Sequence, residues 1–124
     1  MDSADQSFGP MRRLRNREDI SPVFRGGLRA GDHRLLLLAR PRSDGLPSRG
    51  GVSVSKRHGT AVRRNRLKRL CREAFRLTRP SLPDGYDYML VPRVGCQAGL
   101  DELRESLQRL AGKLARRAQR RSDA

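Results

Sequence analysis

The 124 residues carry 28 Lys and Arg against 13 Asp and Glu, a formal net charge of +15 and a pI near 11.6, and the partner that suits such a charge is a polyanion. The length suits one domain with a modest core, and the 35% of apolar residues fall in periodic clusters, which excludes disorder throughout. Two cysteines, Cys71 and Cys96, are too few and too isolated for a disulfide framework or a zinc site, and the longest apolar run, Leu35 to Ala39, is too short to span a bilayer, so a cytoplasmic location is expected.

Residues 1–12 mix polar residues, Gly and Pro without periodicity and read as a flexible tail. Asn16 then reads as a helix cap, with Glu18 and Asp19 placed to favour the positive end of a short helix that closes at Gly26 and Gly27. Pro22 removes one helical hydrogen bond, so a kink or a late start is expected there. The run "HRLLLLAR" predicts a buried strand, and "PRSDGLPSRGG" after it an exposed connection. In "GVSVSK" strict alternation predicts a strand with Val52 and Val54 on one face and Ser53 and Ser55 on the other.

The period then becomes helical. Thr60 caps a helix to about Leu77 whose core side gathers Leu67, Leu70, Cys71, Ala74 and Leu77, while Arg64, Lys68, Arg72 and Arg76 line another. Pro80 and Pro83 mark the exit toward a strand at "YDYMLVP". Leu100, Leu103, Leu107, Leu110 and Leu114 predict a closing amphipathic helix; the stripe suits a core, with a dimer seam as the alternative. Arginines 116, 117, 120 and 121 run into a basic, frayed tail, assigned to 117–124. The sum is a single α+β domain over 13–116, a small two-layer sandwich of a mainly antiparallel sheet with flanking helices, in the order α-β-β-β-α-β-α.

No catalytic constellation emerges. His33 and His58 are far apart in sequence and form no obvious catalytic pair with a carboxylate, and Asp84, Asp87, Asp101 and Glu102 sit at turns and element edges, where capping explains them. "GTAVRRNR" lacks the second glycine and the Gly-Lys-Ser/Thr ending of a phosphate loop, so neither catalytic nor metal-ligating residues are assigned. What stands out is charge: residues 56–79 hold ten Lys or Arg with Glu73 as the sole acid. Like charges so close destabilise a lone helix, and RNA phosphates would compensate them.

The segment "SVSKRHGTAVRRNRLKRLCREAFR" closely resembles the signature of the bacterial ribonuclease P protein subunit, a serine-rich strand ending in Lys, a Gly turn, and a helix bearing Arg-Asn-Arg. The resemblance extends through "RLRNREDISPVFRGG" and "LPDGYDYMLVPR", about Leu14 to Ala115. It implies a left-handed βαβ crossover, in a fold like that of the second domain of a small-subunit ribosomal protein. It implies a subunit that joins a catalytic RNA, with Mg²⁺ bound mainly by that RNA, in removing 5′ leaders from precursor tRNA, one protein per RNA. By matched position, Arg64, Asn65, Arg66, Lys68, Arg69 and Arg72 would contact the catalytic RNA, and Phe24, Ser53, Ser55 and Lys56 the single-stranded leader. Ile20 and Leu38 stand where the family often has aromatics, which argues against strong base stacking. A ribosomal or ribosome-assembly protein is the alternative that charge alone would equally fit, and a DNA-compacting protein a third.

Overall fold

The computed structural model describes Arg13, Leu14 and residues 17–123; the tail at 1–12 and the cap at Asn16 lie outside the described residues. The elements follow the expected order: α1 (Arg17–Gly26), β1 (Leu28–Gly31), β2 (Leu35–Pro41), β3 (Arg49–Val52), α2 (Ala61–Thr78), β4 (Tyr86–Pro92) and α3 (Leu100–Asp123). The strands form one sheet in the order β1-β2-β4-β3. Pairing is antiparallel from β1 to β4, whereas β3 and β4 are parallel and α2 makes the crossover between them.

Alternation sorts the strand residues onto two faces. Leu35, Leu37, Ala39, Tyr88 and Leu90 point toward α2 and α3, where they meet Cys71, Ala74, Phe75 and the leucines of α3 in the main core. Leu38 and Met89 point the other way and pack with Val23 of α1 and with Leu14 in a smaller core, edged by Ile20, Leu36 and Val91. Leu103, Leu107, Leu110 and Leu114 are buried within the chain, so the leucine stripe is core and not a dimer seam.

Three expectations are corrected. Helix α1 begins at Arg17 and runs unbroken through Pro22, which forgoes only the bond to the Glu18 carbonyl one turn from the start, while Val23 anchors the helix by full burial. Strand β3 ends at Val52, four residues before the expected Lys56. Ser53 adds one more bond, from its N–H to the Leu90 carbonyl (2.9 Å), and Ser55 then caps a 3₁₀ turn at Lys56–His58, so local capping chemistry overrides the alternating pattern. Helix α3 continues past the leucine stripe to Asp123, so Arg116, Arg117, Arg120 and Arg121 occupy helical turns and not a frayed tail.

Two contacts fix α2 in place. Thr60 Oγ1 accepts from the Arg63 N–H (3.2 Å), capping the helix as its sequence predicts. Gly50 then lets the helix approach β3, because a Cβ there would stand 2.6 Å from the Phe75 ring. Leu14 covers the outer edge of β3, its N–H donating to the Gly50 carbonyl (3.0 Å).

Candidate nucleic-acid interface

Successive helical residues turn by about 100°, and this divides the charged residues of α2 among three directions. Asn65, Lys68, Arg69 and Arg72 share a shallow basin of about 430 Å³ with Glu73, Arg76 and Arg13. Arg66 lies on the other flank, where it joins Arg63 and His58 around a groove of about 390 Å³ with an apolar floor that includes Leu67 and Leu70. Arg64 falls on the line of Cys71 and Phe75, before the core begins; it is half-buried, and its Nε is shielded from solvent without a hydrogen-bond partner. The six residues predicted to act on the catalytic RNA are therefore four together, one on the far flank and one turned inward.

Electrostatics separates these cations from the arginines that hold the fold. Arg34 pairs with Glu102 and Glu105, Arg79 with Asp84, and Arg109 with Asp32. Asp87 takes two hydrogen bonds from Arg49 (2.9 and 2.8 Å) and lies 3.7 Å from Arg42, while Asp19 and Asp44 complete the chain of charges. Asp87, the second residue of β4, thus sits at the element edge expected from the sequence, but as a buried partner of two arginines and not as a solvated or capping acid. On α2 the one acid, Glu73, lies 2.6 Å from Arg76, and that hydrogen bond lowers its pKa. Among the described residues, no carboxylate reaches Arg63, Arg64, Arg66, Lys68, Arg69 or Arg72. Exposed and unpaired, Arg69 and Arg72 leave the basin cationic.

The four residues assigned to the leader occupy two places. Phe24 is 39% exposed on α1, one turn beyond half-buried Ile20. Ser53 follows Gly51 by two residues, which puts it on the same side of the sheet as α1. Between them lie the half-buried Leu36 and Val91, whereas Leu38 is wholly buried and belongs to the core. Ser55 and Lys56 sit beyond the end of β3. Ser55 Oγ accepts from the Arg57 N–H (3.3 Å), and the Ser55 N–H donates to His58 Nδ1 (3.1 Å). That leaves Nε2 of His58 to donate to the Pro92 carbonyl (2.7 Å), so this histidine fastens the loop to β4.

Sequence reasoning missed Arg13 and Arg63. Arg13 reaches the basin because its segment bridges to Gly50, a contact between distant stretches with no local signal. Arg63 lies in the same charge run and was legible there. No group of three or more His, Cys, Asp or Glu that could hold a metal ion occurs among the described residues, and none of their helices is long and apolar enough to cross a membrane.

Residues 8–115 match the family model described as Ribonuclease P. A "Ribonuclease P protein component" of Brevibacillus brevis is 36% identical over 96 residues, 77% of this chain and 76% of the relative. One from Oleidesulfovibrio alaskensis is 34% identical over 114 residues, covering 86% and 91%. Among solved structures, the RNase P protein of Thermotoga maritima superposes with a TM-score of 0.72 at 33% identity, covering 82% of this chain and 96% of that one. That of Staphylococcus aureus gives 0.70 at 25% identity, covering 84% and 94%.

Proposed function

The chain belongs to the ribonuclease P protein family, and from that premise we propose that α2 docks on the ribonuclease P RNA while the α1 side of the sheet receives the 5′ leader of precursor tRNA. The protein is a subunit of an endoribonuclease, its partner is the enzyme's RNA, and the ribosomal alternative is set aside. The observation that carries the docking assignment is the set of α2 cations left without acids. Arg64, Arg66, Lys68, Arg69 and Arg72, joined by Arg13 and Arg63, would meet phosphates and release their counterions, and the neutral Asn65 would add a polar contact to the RNA.

In the leader groove, Phe24 supplies one aromatic edge and Ser53 a polar one above Leu36 and Val91, with Ser55 and Lys56 at the exit. The single-strand platform is modest: Ile20 and Leu38 contribute apolar surface and core in place of rings. Phosphodiester hydrolysis belongs to the RNA and its Mg²⁺, and the protein's part is to neutralise charge and position substrate. One protein per RNA in the cytoplasm completes the reading. Reconstitution tests it: added to a bacterial ribonuclease P RNA at low Mg²⁺, the protein restores cleavage at the mature tRNA 5′ end. Failure to restore it, or cleavage by RNA-free protein, would refute the assignment.

A further inference from the structure

Helix α3 outruns its own core. Leu114 is its last buried residue, yet the helix continues to Asp123, about two and a half turns further and past the residues matched by the family model. At about 100° per residue, Arg109, Lys113, Arg116, Arg117 and Arg120 fall within roughly 100° of arc on one flank, whereas Gln108, Gly112, Ala115 and Gln119 make up the other. The cationic flank is held against β1: Arg109 pairs with Asp32 just beyond that strand, and Arg117 Nη1 donates to the Arg29 carbonyl (2.7 Å).

The helix dipole accounts for little of this. It favours cations in the last turn, which covers Arg120 and Arg121 but not Lys113, Arg116 or Arg117. Like charges three and four residues apart repel. Among the described residues, no carboxylate pairs with Lys113, Arg116, Arg120 or Arg121. The pattern is that of α2 again: a helix flank with its positive charge left uncompensated.

We propose that this flank of α3 is a second RNA-binding surface, one that grips the phosphate backbone of a segment of the ribonuclease P RNA distinct from the segment held by α2. The sheet order sets β1 and β3 at opposite edges, about 14 Å apart across three strand spacings, so the α2 basin and the α3 flank face different stretches of RNA. Cations one turn or four residues apart lie about 5–6 Å from each other along the helix, a spacing suited to successive phosphates. The flank carries no aromatic residue, which points to backbone contact and not to base stacking. The inference rests on the RNA docking proposed for α2, and its test separates the two.

Two variants of the full chain, Arg116→Gln/Arg117→Gln/Arg120→Gln on α3 and Arg69→Gln/Arg72→Gln on α2, are titrated against ribonuclease P RNA between 50 and 200 mM salt and footprinted with hydroxyl radicals. Gln is a good helix former, and circular dichroism checks the fold of each. If each lost arginine had neutralised one phosphate, the α3 variant lowers the log–log salt slope by about 2.7, so the parent protein loses about 40-fold more affinity than the variant across that range. It also loses protection of one RNA segment and keeps the segment that depends on α2. A slope within about 0.5 of the parent with an unchanged footprint overturns the inference, as does loss of the same segment in both variants. Unchanged assembly of the α2 variant would instead overturn the α2 docking, and the α3 footprint would still stand or fall by itself.

Discussion

Replacing Gly50 by Ala probes how closely α2 is set against the sheet. The added methyl would stand 2.6, 2.7 and 2.8 Å from three carbons of the Phe75 ring, so the ring must retreat by roughly 0.8 Å to reach ordinary contact near 3.4 Å. Little room exists for that: Phe75 is 1% exposed and leans on Tyr88 with ring centroids 6.1 Å apart, and Tyr88 is tied by its hydroxyl to the Pro83 carbonyl (2.6 Å). Overpacking of this kind costs about 1–3 kcal/mol, and the entropy Ala removes from the unfolded chain returns about 0.4–1 kcal/mol. A net loss of roughly 1–2 kcal/mol lowers Tm by about 3–10 °C for a chain of this size. Thermal unfolding followed by circular dichroism measures it, and adding Phe75→Leu should recover part of the loss, because the two sites share one contact. A Gly50→Ala protein as stable as its parent would refute the close approach of α2 to β3.

Three further outcomes follow from the structure. Phe24→Ala should weaken precursor tRNA with a long 5′ leader by about 1–3 kcal/mol while leaving leaderless tRNA unaffected, measured by paired titrations; equal losses would remove Phe24 from the leader groove. Burial pushes the Cys71 thiol up to about 12, so at pH 8 iodoacetamide should modify half-buried Cys96 first and reach Cys71 only at the rate of unfolding, as read by mass spectrometry. Burial alone would raise the Asp32 carboxyl, but hydrogen bonds with Ser106, Arg109, Leu35 and Arg34 outweigh it and hold the pKa well below the ordinary 3.8. The stability Asp32 contributes is therefore present above pH 3.8 and lost as pH falls below it, so Asp32→Asn should flatten the acid limb of a stability–pH curve.

Helix α2, β4 and the leucine stripe were legible because each rests on a local rule: a Thr cap, an apolar run bounded by Pro, a 3.6-residue period. The end of β3 was not, since Ser55 caps the next turn as readily as it extends a strand, and the bond of His58 to Pro92 then fastens that turn to β4. The place of Asp87 near the start of β4 was legible, but its burial was not, since Arg49 and Arg42 come from elsewhere in the chain to compensate it. The candidate site was visible as a run of charge. Its division into a basin, a flank and an inward-turned Arg64 depends on helix phase and on Arg13, whose contribution arises from tertiary pairing alone.

The claim that acids hold the fold while unpaired arginines hold the RNA is tested most directly by comparing salt slopes for RNA binding. Arg69→Gln/Arg72→Gln removes two unpaired cations, and Arg34→Gln removes one engaged by Glu102 and Glu105. The predicted result is a slope lower by up to about 1.8 for the α2 variant with Tm unchanged, against an unchanged slope and a lower Tm for Arg34→Gln. Equal slopes for the parent and the α2 variant, or a loss per arginine as large at Arg34, would contradict it.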